Sequence, residues 1–165
     1  MTGFLGICVL ALALSGCSKN EESSGNVLRV GNGAEVESLD PHMVSGTPEH
    51  HILTALFEGL VDLDMPSMTP IPGAAASWTV SEDKRTYTFT LQPEGRWSNG
   101  DPVKASDFAY AWQRILSPKL AAKYSYMLHC MKNAKAYNLG TLTDFSQVGV
   151  KVLGDSTLQV TLENP

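Results

Sequence analysis

Between Thr86 and Leu91, threonines alternate with Tyr87, Phe89 and Leu91, and this period of two predicts a strand with one buried face. Val148, Val150 and Val152 alternate in the same way, Gly154-Asp155 turns the chain, and Leu158, Val160 and Leu162 alternate back, which predicts a hairpin. The period becomes helical after Ser106 and Asp107, which offer caps and early negative charge. Phe108, Ala111, Trp112, Ile115 and Leu116 then share one stripe until Pro118. A second helix is expected with Thr47 as its cap, Pro48 at its first position and Glu49 at the positive end of its dipole. Ile52, Leu53, Leu56 and Phe57 form its apolar stripe, and Gly59 ends it. Val27–Val30, closed by Gly31-Asn32-Gly33, reads as a short strand entering a loop. Three prolines and a glycine between Met65 and Trp78 predict irregular chain. Ser81–Lys84 and Asn99-Gly100 are expected turns.

Strands interleaved with helices make the expected fold class mixed α/β. The 165 residues, 43% hydrophobic and 18% charged, suffice for one moderate core. The twelve Lys and Arg residues are scattered and the net charge is −5, so the basic footprint of a nucleic-acid binder is missing. His50 and His51 are neighbours on a predicted helix and diverge, and His42 lies on a loop. Surface or hydrogen-bonded histidines are therefore expected rather than a metal site. No HExxH, phosphate-binding glycine loop or Ser-His-Asp set is present, so neither an enzyme nor a cofactor is expected.

The N-terminus speaks to location. Phe4–Leu14 is almost wholly apolar, too short to span a bilayer but suited to the hydrophobic region of a secretory signal. It runs into the small residues Ser15 and Gly16 and then Cys17, a sequence that resembles the lipobox of bacterial lipoproteins. Residues 1–16 would be a signal peptide, Cys17 the lipidated residue and residues 17–26 a polar tether. Met1–Gly3 lack the positive charge that usually opens such a leader. Cys8 would leave with the signal, so Cys130 would be the single thiol of the mature segment, and burial as a small hydrophobe is expected for it.

The stretch GRWSNGDPVKASDFAYAWQRILSP, residues 95–118, holds two of the three tryptophans. Its aromatics lie on predicted apolar faces and its polar residues are caps or turn formers, so it reads as scaffold rather than a catalytic set. Together with SLDPH (38–42), LFEGL (56–60), AASW (75–78), YTFTL (87–91) and the closing VGVKVLGDSTLQVTLENP, it resembles the N-terminal part of the oligopeptide and dipeptide substrate-binding proteins of ABC importers. Six strings in the family's order cover nearly all of the expected mature chain.

The resemblance implies part of a two-lobed, type II periplasmic-binding-protein fold of the peptide-binding cluster. Residues 27–57 would begin the large lobe, and residues 58–165 would be the small lateral α/β domain. The family's chains are several times longer, so a fragment is implied, without the acidic residue that pairs with the peptide's amino terminus. The implied protein is a monomeric, lipid-anchored receptor in the cell envelope, periplasmic or otherwise outside the inner membrane. It would capture an oligopeptide and deliver it to an ABC permease and its ATPase. A receptor that tolerates any peptide sequence must pair main chain with main chain and leave side chains in hydrated pockets. Ser45, Gly46 and Thr47 align with one such edge in the family, although a carboxylate often stands there at the position of Ser45, and Tyr124 aligns with a pocket-facing tyrosine. Residue by residue the alternatives are a turn glycine, a helix cap and a surface aromatic. Nickel chelates, haem, glutathione or murein peptides are alternative ligands within the cluster, and a cell-envelope enzyme or a structural lipoprotein are alternatives from other classes.

Overall fold

The computed structural model describes residues 27–165. Cys17 and the expected signal and tether lie outside the described residues. Residues 32–165 form one compact unit, to which residues 27–31 do not belong. Val27–Val30 form no strand, contrary to expectation, because no neighbouring strand among the described residues pairs with them and β-branched side chains alone do not make a ladder.

In the 32–165 unit the order is α1 (Thr47–Leu56), β1 (Val61–Asp64), β2 (Thr69–Pro72), β3 (Ala75–Val80), β4 (Thr86–Leu91), α2 (Ala105–Leu116), α3 (Ala134–Asn138), β5 (Val150–Gly154) and β6 (Thr157–Thr161). Short 3₁₀ turns at Ser125–Cys130 and Phe145–Gln147 flank α3. Strands β3 to β6 build one antiparallel sheet in the order β3-β4-β6-β5, and β1-β2 is a separate two-stranded sheet.

The period-two segments are the strands predicted. Leu91, Leu158, Val160 and Val150 bury their side chains in the core together with Ala105 and Leu116 of α2, Met131, Ala134 and Val148. The opposite sheet face is polar, with Thr88 paired to Gln159 and the Gln159 amide donating to the Thr88 hydroxyl at 3.4 Å. The β5-β6 turn falls at Asp155-Ser156, one residue later than expected. At the β3-β4 turn, Ser81 Oγ accepts from Thr86 N at 2.9 Å, and Lys84 takes a positive φ of 56°.

The proline-rich segment is a hairpin, not irregular chain. Pro70 and Pro72 recur with period two opposite Leu63 and Val61. Both missing N–H groups therefore fall on the same side of β2, away from the ladder, which is the arrangement a strand tolerates.

On α2, Trp112, Phe108 and Ile115 pack against the core and Leu116 is fully buried. Lys104 is the residue before the helix, and Asp107 rather than Ser106 caps it, its carboxylate accepting from Lys104 N at 2.9 Å. Asp107 also accepts from Trp97 Nε1 at 2.9 Å, which ties the Asn99-Gly100 turn to the helix start. Gly100 has φ +92° there, a conformation that favours glycine.

Candidate functional site

Three of the candidate residues, Ser45, Gly46 and Thr47, stand where the loop that begins at Ser38 enters α1. Ser38 Oγ accepts from Asp40 N at 3.0 Å, and Asp40 Oδ1 accepts from His42 N at 3.1 Å. The Asp40 carbonyl accepts from Met43 N at 3.0 Å and Val44 N at 3.3 Å. These bonds make a compact turn around Asp40-Pro41, two residue types that favour turns.

Arg114, from the last turn of α2, grips that turn. Its Nη1 donates to Asp40 Oδ1 at 2.8 Å and its Nη2 to Asp40 Oδ2 at 2.6 Å, the bidentate geometry of a guanidinium on a carboxylate. Nη1 also lies 2.6 Å from His42 Nδ1. A guanidinium has only donors, so Nδ1 accepts, and the neutral ring carries its proton on Nε2. The hydrogen bond from Arg114 holds the Asp40 carboxyl down at about 2, against the opposing effect of burial and with help from the His42 amide. Burial and then the Arg114 charge lower the His42 pKa, and Asp40 opposes them.

Ser45 is exposed and its Oγ accepts from Lys123 Nζ at 3.3 Å. Gly46 is extended, with φ −89° and ψ 154°, and is the residue that caps α1; its carbonyl takes the first helical bond, from His50 N at 3.1 Å. The expectation that Thr47 caps the helix and Pro48 opens it is corrected by one residue. Thr47 is already helical, because the ladder begins at the Gly46 carbonyl. A Cβ on Gly46 would strike the Glu49 carboxylate. Glu49 is 7% exposed and accepts from Glu37 N at 3.1 Å. The bare Cα of Gly46 thus makes room for a side chain of its own helix.

The helix stops at Leu56 with Phe57 as its end residue, ahead of Gly59. Its apolar stripe is only partly covered in the 32–165 unit. Ile52 and Leu53 are half-buried, whereas Leu56 and Phe57 are 63% and 48% exposed.

Tyr124 precedes the 3₁₀ turn Ser125–Cys130 and is 43% exposed. Its ring centroid lies 6.2 Å from that of Tyr126. The Lys123–Ser45 bond brings the segment carrying Tyr124 to the 45–47 edge, but no hydrogen bond among the described residues joins Tyr124 to that edge. Ser45 N and Gly46 N likewise make no backbone hydrogen bond among the described residues. The geometry is an exposed Ser45 and an extended, half-buried Gly46, with amides unpaired by backbone among the described residues, beside an aromatic-bearing turn.

Cys130 is exposed, not buried as expected. In a 3₁₀ turn residues three apart share a face. Ser125, Leu128 and Met131 take the inward positions, with Ser125 and Met131 buried and Leu128 packed on the core. Cys130 is off that face, and its thiol donates to the Met127 carbonyl at 3.6 Å. His50 and His51 are exposed, and among the described residues no three His, Cys, Asp or Glu side chains gather as a metal site. No helix among the described residues is long and apolar enough to cross a membrane.

The pattern of the sequence did not reveal Arg114, Lys123 or Glu49 as partners of this loop. Asp40 in Ser-Leu-Asp-Pro signalled a turn, but nothing local marked a cation 74 positions away.

Residues 69–165 match the model of the bacterial extracellular solute-binding proteins, family 5 Middle. The chain is 42% identical over 135 residues to the periplasmic oligopeptide-binding protein OppA of Escherichia coli, a match covering 81% of this chain and 24% of that one. It is 38% identical over 168 residues to the dipeptide-binding protein DppE of Bacillus subtilis, covering 94% and 31%. Among solved structures, Haemophilus influenzae OppA in complex with the peptide RPPGFSPFR superposes with a TM-score of 0.74 at 40% identity, covering 81% of this chain and 26% of that one. These relatives are binding proteins rather than enzymes, and the chain spans 31% and 24% of the length of these curated ones. The fold is that of the peptide-binding cluster of periplasmic binding proteins, and the chain belongs to the bacterial extracellular solute-binding proteins of family 5.

Proposed function

We propose that these residues form the first portion of the peptide-capturing component of an ABC importer. The observation that carries this reading is the chain just before α1, the exposed Ser45 and the extended, half-buried Gly46, whose amides make no backbone hydrogen bond among the described residues, in a chain whose relatives are named for oligopeptides and dipeptides. Free main-chain donors on an extended segment offer strand-type pairing to any peptide, whatever its side chains. Tyr124 would supply an amphipathic wall beside that edge.

Residues 27–57 would start the large lobe and residues 58–165 would make the small lateral domain. Sequence outside these residues would supply the opposing wall and cover Leu56 and Phe57. Closure of the two lobes is then a hinge motion favoured by a ligand that touches both. Lipidation of Cys17 would hold the receptor at a membrane, and the closed form would hand its peptide to the permease.

Peptide series on the whole protein test the main-chain pairing. Tripeptides to pentapeptides with unrelated side chains bind within about tenfold of one another in calorimetric titrations, whereas N-methylation of a central amide weakens binding by roughly tenfold or more, the worth of one lost hydrogen bond. Affinities that follow side-chain identity and ignore N-methylation would refute the pairing mode.

A further inference from the structure

We propose that Arg114 and Asp40 are positioning residues for the 43–47 segment, and that His42 makes their grip sensitive to acid. The geometry that points to this is a single shared guanidinium. Arg114 binds both oxygens of Asp40 and also the Nδ1 of His42. The same Asp40 accepts from the amides of His42, Met43 and Val44 through its side chain and carbonyl. Ser45 follows directly. A rigid helix thus sets the place of the turn, and the turn sets where the amides of Ser45 and Gly46, unpaired by backbone among the described residues, begin.

The pair is only partly screened, with side chains 32% and 31% exposed. A lysine in place of Arg114 offers a point charge and cannot reproduce the two-pronged contact with a third bond to the imidazole. Protonated His42 has no acceptor on Nδ1 and sets a second cation against Arg114. The charged and titratable groups around His42 are Arg114 on α2 and Asp40 on its own loop. Tyr110 adjoins Arg114 on the same helix, and Lys123 binds the loop further on, at Ser45. Asp40 stays ionised until pH falls to about 2, so His42 is the group that titrates first.

The sign follows from the direction of its shift. A histidine whose folded pKa is depressed binds fewer protons folded than unfolded, so stability is lost as pH falls from 6.5 through the folded value. The grip is complete at neutral pH and weakens in mild acid.

Its consequence for ligand capture rests on the peptide-binding reading. Hydrogen-exchange protection of the Met43 and Val44 amides, measured on the whole protein, tests the grip separately. Arg114→Lys lowers that protection roughly tenfold while the β4 and β6 amides keep theirs. In the native protein, protection at 43–44 falls by a similar factor between about pH 7 and pH 5. His42→Gln retains an acceptor without a titrating group and removes this pH dependence. Unchanged protection in Arg114→Lys, or an acid response that persists in His42→Gln, would overturn the assignment. If Arg114→Lys fails to fold, the pH profile of His42→Gln still decides. Reduced protection with undiminished affinity for a pentapeptide would support the grip and count against the 45–47 edge as the peptide's partner.

Discussion

Replacing Leu158 with alanine lowers the unfolding free energy by about 3 kcal/mol in urea titrations. Leu158 is fully buried in β6, an interior strand of the sheet. It pairs with Phe89 on one side and Val152 on the other, and lies in the core that α2 covers. Truncation removes apolar surface and leaves a cavity walled by β4, β5 and α2, elements that are hydrogen-bonded or packed too firmly to collapse into it. A domain with a stability of about 5–15 kcal/mol loses a large part of it. Val152→Ala is the control. Val152 is 46% exposed on the edge strand, so the change costs about 0.5 kcal/mol or less. Equal losses in the two variants would contradict this placement of the core.

Gly149→Ala is expected to be at least as damaging, by about 3 kcal/mol or more, for a different reason. Gly149 is buried at the entry to β5. Its N–H donates to the Lys132 carbonyl at 2.8 Å, and its carbonyl accepts from Thr161 N at 2.7 Å. A methyl group there would collide with the Thr161 carbonyl oxygen, which is backbone and cannot swing aside. Relief requires parting β6 from the chain after Met131, where Lys132 N donates to that same carbonyl at 2.9 Å. Gly154→Ala meets nothing within 4 Å and should leave the thermal midpoint nearly unchanged. A tolerated Gly149→Ala would mean that β6 is not held against Lys132.

The elements that could be read from the sequence are those whose own residues carry the signal. Leu158-Val160 show their period because they alternate buried against half-buried positions, and Phe89 and Leu91 because they turn toward the core, although Tyr87 is no more buried than the threonines beside it. The stripe from Phe108 to Leu116 does the same at helical spacing. Where the outcome depends on a distant neighbour, local pattern fails. Val27–Val30 has strand composition but no described partner, whereas Thr69–Pro72 has breaker composition and pairs because its prolines face away from β1. Cys130 followed its average tendency on paper, yet its register in a 3₁₀ turn set it outward.

The candidate site divides in the same way. Resemblance, not spacing, pointed to Ser45, Gly46, Thr47 and Tyr124. The structure adds what surrounds them: Lys123 on Ser45, Glu49 filling the space beside Gly46, and Arg114 gripping Asp40 and His42. Each of these contacts depends on side-chain reach that residue order does not encode, and two of them join residues more than 70 positions apart.

Titration of an oligopeptide into residues 27–165 alone and into the whole protein, side by side in a calorimeter, puts two-walled capture to the test. On the proposed two-walled reading, the expected outcome is a dissociation constant on the order of micromolar for the whole protein and binding at least about a hundredfold weaker for residues 27–165, which on that reading offer one wall. Equal affinity in the two would rule out capture between two walls.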